Sequence, residues 1–284
     1  MLMPLKFKLD RRSLEIMFSS FVASTMNYGI EVWGGSFDSH LLKLEQIIVD
    51  GMRLISGATA KSNIANLYEE TSWKSFSTRR DNAACIMMFK MKNNMVPNYL
   101  AELLPLENKQ LTVHNLRNKR NLKMPLIKTE VLKRSFIPTA VTLWNKLSFE
   151  VREANTLSIF RSKLKNMFKI PNVLYYYGKR WPSIMHARLR IGCSKLNYDL
   201  CFHLHIPDIM PDCSCGEHYE NARHFFMTCP NYNDLRVVMR GKVLSVTAFD
   251  FDTLMCGSSE LNLRLNMLVF DAVHEYILRS NRFA

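Results

Sequence analysis

Apolar residues recur along the first hundred positions with the period of an α-helix. Leu41, Leu44, Ile48, Met52 and Ile55 are three or four residues apart, which puts them on one face; Asp38 or Ser39 can cap the start of that helix and Gly57 can end it. Leu14, Phe18, Phe21 and Thr25 repeat the spacing upstream, and an apolar segment over 78–95 stops before Pro97. Beyond Pro105 the period changes. Leu122, Met124 and Leu126 alternate with polar residues or proline, and Val131 and Phe136 lie past the break at Lys128, Thr129 and Glu130. This pattern predicts a short β-hairpin or ribbon, with Pro125 confining its strand to an edge. Helical spacing returns over 139–147, over 156–168 with Leu157, Phe160, Leu164 and Met167 as its stripe, and over 261–282 with Leu265, Val269, Ala272 and Tyr276 in register. The stretch 171–182 reads as a hinge or linker.

Composition adds that the chain folds. It has 284 residues, 48% of them hydrophobic, with 10 Gly and 10 Pro, enough to bury one large core or two modest ones. The stretch MLMPLKFKLDRR reaches Asp10 before any apolar signal-peptide core develops. The uncharged run 16–30 is too short and too polar for a membrane span. Seven cysteines, an odd number, do not form the framework of a small secreted domain. The expected setting is therefore intracellular and reducing, nucleus or cytoplasm.

Charge then narrows the partners. The formal net charge is +13, and residues 111–170 hold thirteen Lys and Arg against three acids. Such a concentration can neutralise phosphates and release counterions, which points to RNA or DNA; a solvated basic face is the plainer reading of the same charges. The candidate nucleic-acid contacts are Arg117, Lys119, Arg120, Lys123, Lys133, Arg134, Lys179, Arg180, Arg188 and Arg190. Tyr175, Tyr176, Tyr177 and Trp181 can stack on bases or pack in a core.

The sharpest chemical signal is PDCSCGEHYENARHFFMTCPNY, in which Cys213, Cys215, His224 and Cys229 give C-x-C-x8-H-x4-C. Three thiolates and an imidazole make a closed tetrahedral set for Zn2+, structural rather than catalytic. Gly216 can take the positive φ of a tight turn after the first pair, and a short helix ending at Pro230 can carry the second. Free cysteine is also a common small core residue, but Asp212, Ser214, Glu217, Glu220 and Asn221 make these surroundings polar. His218 is the rival ligand, and Cys85, Cys193, Cys201 and Cys256 read as core. The fold class expected is mostly α: a helical bundle with a short β-hairpin or ribbon and a small zinc-stapled C-terminal module, in segments 1–105, 106–170 and 171–284.

RLRIGCSKLNYDLCFHLHIPDIMPDCSCGEHYENARHFFMTCPNY resembles the C-terminal zinc-binding segment of Jockey-type non-LTR retrotransposon reverse transcriptases, in which an R-x-R-x-G turn precedes a C-x-C-G…E…H-x4-C-P-x-Y cluster. SSFVASTMNYGIEVWGG and FKMKNNMVPNYL resemble the region after the polymerase palm, HNLRNKRNLKMPLIKTEVLKRSFIPTAVTLWNKL the basic connector, and EYILRSNRF the usual ending. The resemblance implies a thumb-like helical layer over about 10–105 that helps hold a primer–template duplex. It also implies a connector and zinc segment that hold template RNA or target DNA, with the same four metal ligands. The family's polymerase holds magnesium on an Asp-Asp turn, and this chain contains no Asp-Asp pair. The implied protein is a noncatalytic nucleic-acid-binding fragment, for which the resemblance offers the polymerase part of a related element as a partner. Two alternatives stay open: a nuclease-bearing domain using Asp250 and Asp252, and a decayed open reading frame acting at most as an interaction protein.

Overall fold

The computed structural model describes residues 3–108, 120–165 and 172–284. Its helices in chain order are α1 (Arg11–Phe18), α2 (Ser24–Asn27), α3 (Ile30–Trp33), α4 (Asp38–Ser56) and α5 (Ile64–Thr71). Then come α6 (Phe76–Lys92), α7 (Asn98–Ala101), α8 (Glu130–Arg134), α9 (Phe136–Lys146), α10 (Phe149–Arg152) and α11 (Leu157–Lys165). The last four are α12 (Arg180–Ile191), α13 (Asn233–Leu244), α14 (Phe251–Cys256) and α15 (Leu263–Arg279). The protein is mostly helical, and no helix among the described residues is long and apolar enough to cross a membrane.

The chain forms two compact units, each assembled from separated stretches. One comprises Met1–Phe21, Val49–Trp73 and Ile170–Ala284; the other comprises Val22–Ile48 and Lys74–Lys169. In the second unit α6 packs on α9 and α11. Phe89 stacks on Phe160 with ring centroids 4.5 Å apart, Trp144 lies 5.8 Å from Phe160, and Met88, Ala140, Val141 and Leu164 close the core around them. Pro138 sits in the first turn of α9, where its missing N–H has no helical partner to lose.

The expected β-ribbon is absent from the described residues, where the β pairing is one isolated antiparallel bridge between Glu107 and Leu122. Leu122 is buried, but a side chain takes the place of a second strand: Asn145 accepts from the Leu122 N–H (2.9 Å) and donates to the Leu122 carbonyl (3.0 Å). Met124 and Leu126 are exposed, so the alternation has no face to bury. Past the break the chain turns helical instead, because Thr129 caps α8 by accepting from the Leu132 N–H at 3.1 Å, ahead of an acidic first residue, Glu130.

In the first unit α15 packs against α12, α13 and α14. Their shared core holds Ile184, Leu189, Phe225, Phe226, Met239, Val269, Val273, Tyr276 and Ile277. A second feature of this unit is polar. Glu70, on α5, is buried and receives Arg11 at 2.6 Å and both Nε (2.8 Å) and Nη2 (2.9 Å) of Arg190. Burial alone would raise the Glu70 carboxyl, but Arg190 and then Arg11 outweigh it and hold it below the usual carboxylate range. The Tyr175 ring lies 4.0 Å from the Arg190 guanidinium on its other side. Next to this group His186 and His274 are buried with their ring nitrogens 3.4 Å apart, and burial followed by the nearby Arg190 charge lowers both, His274 to about 4.

Replacing Glu70 by Gln leaves two buried guanidinium groups uncompensated and is expected to cost about 3–5 kcal/mol in urea unfolding; a change within experimental error would show that the pairs are not buried. Acidification should act in the same direction. Below the ordinary histidine value of 6.5 the unfolded chain binds protons that His186 and His274 refuse in the fold, and below 4.5 the same holds for Glu70. Stability is therefore expected to fall continuously from pH 6.5 to pH 4. A urea midpoint that stays level across this range would contradict the assignment.

Candidate metal centre

Two short backbone devices bring the four ligands together. The first is a knuckle in which the Cys213 N–H donates to the Glu217 carbonyl (2.8 Å) and the Gly216 N–H donates to the Cys213 carbonyl (3.0 Å). Gly216 has φ +96, and no atom lies within 4 Å of where its Cβ would be, so the glycine answers to backbone conformation and not to space. The second device is a π-helical turn, His224–Thr228, closed by the Cys229 N–H on the His224 carbonyl at 2.9 Å. In a regular α-helix residues five apart point about 140° away from each other. The wider i→i+5 turn brings His224 and Cys229 to the same side, which is a structural use for a π-turn. Asn221 starts this turn by accepting from the His224 N–H at 2.8 Å.

The ligand atoms of Cys213, Cys215, His224 and Cys229 all lie within 4.8 Å of one another. Cys213 Sγ is 3.7 Å from Cys229 Sγ, and Cys215 Sγ is 3.3 Å from His224 Nε2. A tetrahedral ion with metal–sulfur bonds of about 2.3 Å and a metal–nitrogen bond of about 2.0–2.1 Å would set these separations near 3.8 and 3.6 Å. The residues fit such a group. His224 Nδ1 lies 3.0 Å from Thr228 Oγ1, a contact that fixes the ring and leaves Nε2 for the centre. Burial raises the Cys213 thiol and pushes Cys229 up to about 12, so neither ionises readily until a cation shares the site. Cys215 goes the other way: burial opposes ionisation, but the Glu217 backbone N–H and the Cys213 and Cys229 thiols lower it. With four protein ligands no coordination position is left for a substrate, so the chemistry available is structural.

The outer contacts explain residues that sequence reasoning passed over. Arg236 donates to the Phe226 carbonyl (3.0 Å) and to the Cys229 carbonyl, and the Tyr276 hydroxyl donates to the Phe225 carbonyl (2.6 Å), tying the π-turn to α13 and α15. Asn231 joins the two ligand arms by donating to Ser214 Oγ at 3.0 Å. Glu220 is buried and held by two arms of Arg282, at 2.7 and 2.5 Å, while accepting from the Asn197 N–H at 2.9 Å. The Glu of the motif and the Arg of the ending are therefore partners, and Phe283 packs 5.3 Å from Phe225 beside them. His218 is solvated, with its side chain 91% exposed. Of the remaining cysteines, Cys85 and Cys193 are buried and Cys201 is half-buried, whereas Cys256, expected in the core, is exposed.

The ten candidate nucleic-acid contacts separate into groups. Arg117 and Lys119 lie outside the described residues. Arg120, Lys123, Lys133 and Lys179 are exposed and Arg134 is half-buried; Arg120 lies 4.2 Å from the Phe149 ring and Arg134 lies 5.0 Å from that of Phe37. The other three face inward. Arg180 donates to the carbonyls of Leu54 (3.1 Å) and Ile55 (2.8 Å) at the C-terminal end of α4, and Arg188 to that of Gly57 (2.9 Å). There a cation offsets the helix dipole and satisfies orphan carbonyls. Arg190 is committed to Glu70. The tyrosines of the linker are likewise engaged: Tyr176 donates to Glu15 at 2.6 Å and Tyr177 to Asp271 at 2.8 Å. Asp250, considered above for nuclease chemistry, caps α14 by accepting from the Thr253 N–H at 2.9 Å.

Comparison with family models, with curated proteins and with solved structures finds no match to this chain.

Metal analysis of the purified protein is expected to give one divalent ion per chain, lost in the Cys213→Ser variant and released as pH falls, because protons compete for the sulfurs. Purification without metal, with Cys213→Ser as stable as the parent, would contradict the site.

Proposed function

We propose that the chain is a noncatalytic nucleic-acid-binding portion of a non-LTR retrotransposon reverse transcriptase, in which a basic helical unit grips the phosphate backbone of RNA or DNA and a structural zinc ion folds the C-terminal module. The observation that carries this reading is where the charge sits. The unit of Val22–Ile48 and Lys74–Lys169 contains twenty Lys and Arg against nine Asp and Glu, whereas the unit holding the Cys/His cluster contains eighteen against sixteen. Nearly all of the excess charge is thus carried by one folded body. Its lysines include exposed ones on several elements, Lys123, Lys128, Lys133, Lys146 and Lys165 among them. Such a surface favours a polyanion without reading its sequence.

Zinc is the ion proposed for the cluster because three thiolates and one imidazole in a closed set suit its borderline softness and lack of geometric preference. Support for the retroelement assignment comes from the motif resemblance, together with a physical role for its less obvious members: Glu220 pairs with Arg282, and Gly192 ends α12 at φ +77.

Binding to single-stranded RNA should weaken steeply with salt, and changing Arg120, Lys123 and Lys133 together to Ala should lower the slope of log K against log salt by about 2, at roughly 0.7 per lost phosphate contact. A salt-independent affinity, or no binding at low salt, would contradict the proposal.

A further inference from the structure

The stretch that carries the first two cysteines of the cluster is acidic, and it exposes aromatic side chains. From Leu196 to Ala222 the chain contains no Lys or Arg and five acids. Two of those acids are internal: Asp199 accepts from Ser194 N–H (3.0 Å) and Oγ (2.5 Å), and Glu220 is held by Arg282. Asp208 and Glu217 are exposed, and the Asp212 side chain is 46% exposed. The same stretch of chain holds a cluster of three rings, with the His203 ring 5.3 Å from that of Tyr198. Tyr198 lies 4.9 Å from Phe202 and 5.7 Å from Tyr219, and Phe202 lies 6.2 Å from Tyr219. Rings in mutual contact at these distances are ordinarily core, yet Phe202 is 46% and Tyr219 49% exposed, and Met210 is 70% exposed.

The support beneath the rings is rigid. Tyr198 precedes a π-helical turn, Asp199–His203, whose Asp199 also meets His203 Nδ1 at 3.1 Å. Tyr219 belongs to the metal knuckle, and the Tyr198 N–H donates to the Glu220 carbonyl at 3.3 Å, which joins the two elements. The cluster that binds the ion therefore also sets the position of Tyr219.

We infer that this face docks a basic segment of another polypeptide, with arginine side chains laid on the Tyr198, Phe202 and Tyr219 rings and the carboxylates of Asp212 and Glu217 beside them. Aromatic faces attract guanidinium groups through their quadrupole and by stacking, and carboxylates hold the same group electrostatically; Glu217 is exposed, and Asp212 has the exposed His218 imidazole at 3.6 Å, which a guanidinium would displace. The two features select the same partner chemistry, whereas a phosphodiester would meet repulsion from the acids. The inference does not depend on the nucleic-acid reading, which concerns the other unit.

The test uses the full chain with two fluorescent probes, a peptide of alternating Arg and Gly and the same peptide with Glu for Arg, and with single-stranded RNA measured alongside. The wild type is expected to bind the Arg peptide and not the Glu peptide. Phe202→Ala and Tyr219→Ala should each weaken the Arg peptide by roughly two- to thirtyfold. Asp212→Asn with Glu217→Gln should weaken it and reduce its salt dependence, and Tyr219→Phe should bind as the wild type does. Metal content and RNA affinity should stay at wild-type values in all of them. Equal binding of the two peptides, or alanine variants that bind the Arg peptide unchanged, would overturn the inference. Loss of RNA affinity in the alanine variants with peptide binding intact would also overturn it, assigning the rings to bases.

Discussion

Three sulfurs and one imidazole held within 4.8 Å of one another impose a condition on everything around them. Buried thiols resist ionisation, and neutral thiols at this spacing form only weak contacts, so the arrangement gains most when a divalent cation takes up the charge. Around it Arg236 and Tyr276 hold the π-turn through its backbone carbonyls, and the ion pair of Glu220 with Arg282 holds the loop to the 282–284 segment. A polar loop of this size buries too little apolar surface to fix such a geometry alone. A bound ion and the α12, α13 and α15 core would thus stabilise one another, and Tyr198 is tied to the loop of the cluster through the Glu220 carbonyl.

Arginine does two physically different things in this chain. In the unit with the metal cluster Arg11, Arg180, Arg188 and Arg190 are turned inward, onto a buried carboxylate and onto helix-end carbonyls, where the planar fork satisfies several acceptors at once. In the other unit none of the described Lys and Arg is buried, and its sequence carries almost the whole net charge. The two units thus differ in charge, one strongly basic and the other nearly balanced.

The helices were legible where one apolar stripe repeats without interruption. The stripe of Leu41, Leu44, Ile48, Met52 and Ile55 predicts a start at Asp38 or Ser39 and a stop by Gly57, and α4 runs Asp38–Ser56. The convergence of Cys213, Cys215, His224 and Cys229 was legible too, because residue type and spacing mark a set that could hold a metal. The β-ribbon is not formed among the described residues, because alternation over Leu122, Met124 and Leu126 needs a partner strand, and the side chain of Asn145, 23 residues away, satisfies Leu122 instead. The inward roles of Arg180, Arg188 and Arg190 were illegible for a related reason. Their acceptors lie more than a hundred residues away in sequence, and nothing local distinguishes an arginine that will meet Glu70 from one that will meet solvent. The two discontinuous units have the same origin, since long-range packing and not composition decides which stretches share a core.

Absorption spectroscopy at the metal edge of the metal-loaded protein tests the arrangement most directly, because it counts donor atoms and measures bond lengths independently of any function. Three sulfurs at about 2.3 Å and one nitrogen at about 2.0–2.1 Å are predicted. A first coordination shell made of oxygen and nitrogen alone, or one with fewer than three sulfurs, would contradict the convergence of Cys213, Cys215, His224 and Cys229 on a single ion.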